Sequence, residues 1–209
     1  MKPFPRYSRS ATLSSAALTL AFSVSAYAQN PQRQLLQVKH SPSHISITTN
    51  DGQYQITPYS TEVFETRFIP KGEVLTPFDQ QSHAVVGKPQ KVKMQFQETA
   101  QQIDYVSSGI SVRIQKAPFQ ISYFYQAKLL TSEKLGYEKI DTAEKNKERI
   151  SFNLDAQEAL YGAGARALGM NRRGHRLPLY NKAHYGYEEQ SSQMNFAIPL
   201  VYSSKMYGI

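Results

Sequence analysis

Apolar and polar side chains alternate along much of the chain between residues 44 and 154. Residues 91–97 show the pattern most clearly, since Val92, Met94 and Phe96 alternate with lysine and glutamine. A period of two places successive side chains on opposite faces of an extended strand, so that one face is buried and the other meets water. The pattern therefore predicts short β-strands. It recurs at residues 110–115, 119–125 and 150–154.

Turn-forming residues separate these alternating segments. Asp51-Gly52 lies between two of them, residues 44–48 and 53–57, and this dipeptide favours a tight hairpin because both residues tolerate positive φ. Many short strands, each with one polar face, predict an all-β fold, an antiparallel β-sandwich. Residues 141–148 could form a helix, but their charged sequence is equally typical of a solvated hairpin tip.

The first 28 residues have the features of a secretory signal peptide. Three basic residues lie within the first nine positions, and residues 11–26 are mostly small and apolar, but too short and too rich in serine to span a bilayer comfortably. Ala26-Tyr27-Ala28 is a small-x-small cleavage site, which predicts Gln29 as the mature N-terminus. An amphipathic or membrane-anchoring helix is the alternative. We expect a periplasmic or secreted protein that leaves the membrane after cleavage.

The mature chain divides into two parts. Residues 29–43, rich in glutamine and interrupted by two prolines, predict a flexible lead-in, and residues 44–209 predict the sandwich domain. The chain has no cysteine, so its stability must come from packing rather than from disulfides. Loss of the leader lowers the formal net charge from +8 to +5, and the basic residues are scattered. We therefore expect no nucleic-acid partner.

The glycines and histidines do not form a cofactor or metal motif. Gly162-Ala163-Gly164, followed by Gly169, has the wrong spacing for a dinucleotide fingerprint, and no P-loop lysine follows, so tight backbone turns are the better interpretation. His40 and His44 are four residues apart, but Pro42 between them prevents the helix that would make this spacing meaningful. We expect no cofactor and no metal site.

Carboxylates are candidate catalytic groups, because glycoside hydrolysis usually needs two of them beside the scissile bond. Asp155, Glu158, Glu188 and Glu189 are the candidates near the glycine and tyrosine segments. Glu188 and Glu189 are adjacent, so on a strand they would face opposite ways, and a solvated loop is the more economical interpretation. A serine nucleophile is not indicated either, because the chain has no Gly-x-Ser-x-Gly sequence.

A tyrosine cluster is the most function-like feature of the sequence. Tyr180, Tyr185 and Tyr187 are interspersed with Asn181, Lys182 and His184. Aromatic faces and planar polar groups together are typical of sugar binding. Tyrosine-rich strands that pack on one another have the same composition, so both interpretations stay open at this point.

Several segments resemble glycoside hydrolase family 31, the α-glucosidases and α-transglucosylases. The resemblance covers most of the mature chain. Its more specific segments are Leu160-Tyr161-Gly162-Ala163-Gly164, Met170-Asn171-Arg172-Arg173-Gly174, the run from Tyr180 to Tyr187, and Ile198-Pro199-Leu200. Weaker segments lie at residues 56–70, 109–119 and 129–133.

The resemblance implies the galactose-mutarotase-like N-terminal domain of a retaining enzyme that acts on α-1,4-linked gluco-oligosaccharides. The two catalytic aspartates of that family lie in a (β/α)8 barrel that we expect to be absent from this chain, so no catalytic residue is assigned here. The implied partners are an α-gluco-oligosaccharide substrate and the protein's own barrel. A loop that lines the acceptor side of the active site would contain Asn181, Lys182, Ala183, His184 and Tyr185.

Two positions depart from the family pattern. Ala165 stands where an acidic residue often follows the glycine turn, and Ala183 stands where many members have an aspartate that contacts the acceptor sugar. The second departure leaves room for glucosyl transfer as well as hydrolysis. A non-catalytic carbohydrate-binding or structural β-sandwich is the alternative function. The apolar sequence that ends at Ile209 favours the enzyme, because an independent domain rarely ends in such a run.

Overall fold

The structure, a computed structural model, describes residues 30–76, 84–142, 145–191 and 194–209. The regular secondary structure of these residues is entirely β, with no helix, so none is present that is long and apolar enough to cross a bilayer. The signal peptide predicted for residues 1–28 lies outside the described residues and remains a prediction.

Within the described part of the chain, twelve strands form three antiparallel sheets. The first sheet contains, in spatial order, β1 Leu35–His40, β2 Ile45–Thr49, β3 Gly52–Pro58 and β4 Phe64–Pro70. The second contains β5 Gln95–Glu98, β6 Gln102–Val106, β7 Ile110–Gln115, β8 Gln120–Tyr125, β9 Lys128–Thr142 and β10 Lys145–Asn153, neighbours in that order. The third pairs β11 Leu160–Gly162 with β12 Val201–Ser203.

The first two sheets pack face to face and share one core, which confirms the predicted antiparallel β-sandwich. Ten side chains are almost completely buried there, and each isoleucine among them contributes about 1.5–3 kcal/mol relative to exposure. The members are Ile45, Ile47, Tyr54 and Ile56 from the first sheet, and Ile103, Tyr105, Val112, Ile114, Phe119 and Ile121 from the second or its flanking turn.

Most predicted strands are present, with one shortened. The hairpin around Asp51-Gly52 is confirmed, since β2 and β3 pair in register from Thr48 opposite Gln53 to Ile45 opposite Ile56. The strand predicted over residues 91–97 is hydrogen-bonded only from Gln95 onward. The expected alternation nevertheless extends across the whole segment, because its apolar side chains are half-buried and its polar ones exposed.

The lead-in predicted as flexible contains a strand, so the expectation is wrong for residues 35–40. A register shift between Leu35 and Gln37 puts Leu35 and Val38 against the core, three residues apart. That spacing hides the period of two from which strands are recognised. At the other uncertain segment, β9 and β10 run antiparallel up to Thr142 and Lys145, so the hairpin rather than the helix is correct.

The buried guanidinium of Arg33 joins the two sheets at one end. It donates to both carboxylate oxygens of Asp51, with 2.7 Å between Nη2 and Oδ2, and to the Tyr54 hydroxyl at 2.6 Å. On the opposite sheet it donates to the carbonyls of Leu135 and Tyr137, at 3.4 and 2.7 Å. Residues just after the expected cleavage site are therefore part of the sandwich.

Candidate functional site

The candidate site is the 163–200 loop, which connects β11 to β12 and is described except for residues 192–193. Pairing of β11 with β12 closes its base, with Tyr161 opposite Tyr202. Two further backbone hydrogen bonds extend this closure into the loop, from Ala163 N to Leu200 O and from Ala165 N to Phe196 O, both 2.9 Å. The loop therefore begins and ends at one fixed point on the domain.

Left-handed backbone at three consecutive residues starts the loop. The φ angles of Gly162, Ala163 and Gly164 are 98°, 62° and 82°. A Cβ atom at residue 164 would lie 2.5 Å from the carbonyl oxygen of Phe196, so glycine is required there both for its backbone angle and for the close approach of the returning chain. This confirms the interpretation of these glycines as tight backbone turns.

Three arginines of the loop donate to backbone carbonyl groups, two of them within the loop or at its base and one, Arg173, in the segment that precedes β11. The Arg172 guanidinium donates to the carbonyls of residues 162, 168 and 169, the last at 2.7 Å. Arg166 donates to those of residues 163 and 178, and Arg173 to those of residues 155 and 158. Because a guanidinium presents several donors in a rigid plane, each arginine fixes two or three backbone groups at once. These cations thus order the loop.

Amide side chains fix the tip of the loop. The Oδ1 atom of Asn181 accepts a hydrogen bond from Ala197 N at 2.6 Å, and the Oδ1 atom of Asn195 accepts one from His184 N at 2.7 Å. Both bonds cross between the outgoing and the returning halves of the loop. Of the proposed acceptor-side residues, Asn181 therefore positions the backbone through its carbonyl oxygen.

The remaining predicted residues project from the loop. Lys182, Ala183 and His184 are exposed, and the Tyr185 ring is 92% exposed. The other two tyrosines, Tyr180 and Tyr187, are 60% and 52% exposed, and none of the three lies in a strand. The packing alternative, which required tyrosine-rich strands, therefore does not describe this cluster. The ordered backbone of the loop therefore carries aromatic and polar side chains that are exposed to solvent.

The candidate carboxylates do not form a reactive pair. Glu188 and Glu189 are exposed in the loop, as expected for a solvated segment. Glu158 is buried and accepts hydrogen bonds from the Ser203 and Tyr207 hydroxyls, while Asp155 pairs with Lys205 at 2.7 Å. Burial acts to raise the pKa of Glu158, but the hydroxyl donors hold it below its usual value. An ionised, fully bonded carboxylate anchors the domain and is unsuited to acid catalysis.

Sequence reasoning missed a second buried carboxylate, Glu133 of β9. It is 6% exposed and accepts a hydrogen bond from the Tyr54 hydroxyl at 2.9 Å, across the sandwich and 79 residues away in the chain. Burial raises its pKa to about 7, although Tyr54 and nearby Arg33 act in the opposite direction. The other ionisable groups around it are Tyr123 and, through Arg33, Asp51. No sequence signal links residues so far apart.

Two of the histidines, His40 and His44, make ordinary contacts. His40 stacks on Phe96 with 4.9 Å between ring centroids, and His44 Nδ1 is 3.0 Å from the Ser43 hydroxyl. Among the described residues, no group of three or more histidine, cysteine or acidic side chains could hold a metal ion.

Comparison with solved structures shows which fold this is. A dextranase of Flavobacterium johnsoniae, complexed with glucose, superposes with a TM-score of 0.74 at 22% identity, covering 87% of this chain and 22% of that one. The cycloalternan-forming enzyme of Listeria monocytogenes gives 0.62 at 21% identity, over 87% of this chain and 17% of its own. An α-xylosidase from a soil metagenome gives 0.62 at 17%, over 83% and 27%.

The chain thus spans about a fifth of the length of these glycoside hydrolase family 31 enzymes, and at such identities the likeness establishes the fold. No curated protein sequence matched the chain. Residues 53–209, well over half of the chain, match the sequence model of the glycosyl hydrolase 31 N-terminal galactose mutarotase-like domain. The chain therefore belongs to glycoside hydrolase family 31, whose N-terminal domain it contains.

Proposed function

We propose that this chain is the N-terminal domain of an exported α-glucosidase or α-glucosyltransferase that acts on α-1,4-linked gluco-oligosaccharides with retention of configuration. In this proposal the catalytic carboxylates belong to a barrel outside the chain. The domain supports that barrel, and its 163–200 loop lines the acceptor side of the active site.

The proposal rests on one observation, the contrast between the ordered backbone of the loop and its exposed aromatic side chains. Its backbone is fixed by the strand pair, the glycine turn and three arginines, whereas its aromatic side chains are exposed. Leu179 and Phe196 of the same loop are 57% and 52% exposed as well. Large apolar side chains that are exposed on an ordered backbone indicate a surface that binds a ligand or another domain.

The solved relatives support the substrate class. The dextranase structures are complexes with glucose and, for a mutant, with isomaltotriose. The cycloalternan-forming enzyme is in complex with a pentasaccharide substrate. All these ligands are neutral sugars, which aromatic faces and planar amides recognise. The choice of α-1,4-linked glucose rests on the resemblance of the loop sequence.

In this proposal the described part of the chain does not supply the chemistry itself. A retaining glycosidase needs two carboxyl groups about 5–5.5 Å apart, one as nucleophile and one as acid and base. Here Asp155 and Glu158 are held by Lys205, Ser203 and Tyr207. We therefore expect the chain alone to release no glucose from maltotriose above the buffer rate.

The test compares the chain with the native protein purified by an antibody raised against it. We expect the native protein to be several times longer and to release glucose from maltotriose, with the α-anomer as the first product, while the chain alone is inactive. Turnover by the chain that disappears in Glu188→Gln or Glu189→Gln would refute this assignment. A native protein of the chain's own mass without activity would favour the alternative, a carbohydrate-binding or structural β-sandwich.

Export is tested separately by N-terminal sequencing of the native protein. We expect Gln29 as the first residue in a periplasmic or secreted fraction, because a charged n-region, an apolar segment and a small-x-small site precede it. A cytoplasmic protein that retains the leader would contradict this part of the proposal.

A further inference from the structure

One groove is formed by described residues that all lie outside the 163–200 loop. It is a groove of about 600 Å³ on the outer face of the first sheet, within the 300–1,000 Å³ typical of ligand sites, and we name it the β4 groove. Its lining is Tyr59, Val63, Phe64, Glu65 and Arg67 on one side and residues 85–89 on the other.

The direction of the β4 side chains explains which groups the groove receives. Thr66 bonds the Tyr123 hydroxyl of the opposite sheet at 2.7 Å, and the Phe68 ring lies 4.7 Å from that of Tyr54 in the core. Side chains alternate along a strand, so Glu65 and Arg67 point outward, away from the core.

The second wall is attached to the sheet. Gln90 N donates to Tyr59 O at 3.1 Å, and Tyr59 N donates to Val63 O at 2.8 Å in the turn between β3 and β4. Val85 and Val86 are 52% and 95% exposed, so the wall presents apolar surface to the groove and to water.

The chemistry of the groove fits a neutral, polyhydroxylated ligand. Arg67 Nη2 lies 2.8 Å from Glu65 Oε1, and among the described residues this is the only hydrogen bond that the Arg67 side chain makes. The pair offers unused donors and an unused carboxylate oxygen side by side, which suits adjacent hydroxyl groups that both donate and accept. The apolar surface of Tyr59, Val63 and Pro89 suits the C–H faces of a sugar ring.

The carboxylate in the groove argues against an anion. Among the described residues of the lining, Glu65 neutralises Arg67 and leaves Lys88 as the one cation without an ion pair. A phosphate would lie beside the Glu65 carboxylate and be repelled by it.

We propose that the β4 groove is a second carbohydrate-binding site, which takes a short α-gluco-oligosaccharide segment. The choice of sugar rests on the proposed function, whereas the site itself rests on the groove. Such a site would hold a glucan chain on the domain through residues outside the 163–200 loop and so raise the local concentration of the glucan.

The experiment titrates the chain with maltotriose and follows the backbone amides by NMR. We expect shifts in residues 59–67 and 85–89 that saturate, and at least about tenfold weaker binding in Arg67→Ala and Glu65→Ala, since each loses charge-assisted hydrogen bonds. Arg113→Ala, which breaks the comparable ion pair with Asp104 on the second sheet, is the matched control and should bind as the parent does. Unaltered spectra elsewhere show that each variant is folded.

Three results would overturn the proposal: no saturable shift in the groove, affinity unchanged in Arg67→Ala, or displacement of the sugar by inorganic phosphate. Binding that is lost in Tyr185→Ala and kept in Arg67→Ala would also overturn it, because the sugar would then lie on the loop. If the chain binds maltotriose in the groove but the native protein lacks α-glucosidase activity, the proposed function is refuted and the second site is still supported.

Discussion

Replacing Glu133 with glutamine removes a carboxylate that the fold buries between its two sheets. Glutamine has nearly the same shape as the protonated acid and still accepts the hydrogen bond from the Tyr54 hydroxyl, which is 2.9 Å away. The variant therefore changes charge at this site with little change in packing. Any difference from the parent that depends on pH reports the ionisation of Glu133.

The sign follows from the direction of the pKa shift. Burial raises the pKa of Glu133 from 4.5 to about 7, so the folded state holds its proton more tightly than the unfolded chain does. The stability from this proton is fully present below about pH 4.5 and is lost as the pH rises through about 7. The difference between these two values corresponds to about 3 kcal/mol.

We expect the free energy of unfolding of Glu133→Gln to match that of the parent near pH 4.5 and to exceed it by about 3 kcal/mol near pH 8. Urea unfolding followed by circular dichroism across this range measures the difference. Comparing the two proteins at each pH cancels the contributions of all other carboxylates, several of which have the opposite sign.

Glu138→Gln is the matched control, from the same strand. Arg149 and Ser151 hold the pKa of Glu138 below its usual value, so its stabilising contribution is present above the unfolded pKa and lost as the pH falls. The control should become relatively less stable as the pH rises, opposite to Glu133→Gln. Parallel profiles for Glu133→Gln and the parent between about pH 4.5 and 8 would refute the argument, because Glu133 would then titrate alike in the folded and unfolded chains.

Three further predictions concern individual contacts. Tyr105→Phe should leave the free energy of unfolding unchanged or raise it, because the buried Tyr105 hydroxyl has no partner among the described residues. Tyr54→Phe should lower the free energy of unfolding by about 1–3 kcal/mol, because the Tyr54 hydroxyl bonds both Arg33 and Glu133. Urea unfolding measures both effects, and equal values for the two variants would contradict the prediction. Gly164→Ala should lower the melting temperature more than Gly72→Ala, since both have positive φ but only residue 164 would also clash with Phe196 O. In the longer enzyme, Ala183→Asp should shift the ratio of glucosyl transfer to hydrolysis by adding an acceptor contact of about 1.5–3 kcal/mol, and identical product ratios would place the loop away from the acceptor.

The sequence predicts the strands that have one buried face and one exposed face. Along β7, Val112 and Ile114 are completely buried while Arg113 between them is exposed. The alternation of buried and exposed positions is therefore visible in the sequence itself. The hairpin at Asp51-Gly52 is equally local, because its turn chemistry lies within a few residues.

The rest depends on contacts between distant residues. The bulge in β1 puts Leu35 and Val38 inward at a spacing that no strand pattern contains. Arg33 and Glu133 read as ordinary surface residues, since charged side chains are almost never buried without a partner, and the partners become visible only when the sheets are stacked. The β4 groove has no sequence signal for the same reason, because its two walls are formed by separate segments.

The structure of the 163–200 loop explains why its sequence resembles a family pattern although the roles of its individual residues cannot be read from that pattern. The glycine at residue 164 and the arginine at residue 172 are required by backbone geometry and by carbonyl acceptors, so their identities are constrained by the fold alone. Ala183 and Tyr185 carry no such constraint, because their side chains are exposed and the backbone beneath them is held by other residues. Substitutions at these two positions can therefore change what the loop contacts without changing the course of its backbone. Under the proposed function, alanine at residue 183 affects the choice of acceptor rather than folding.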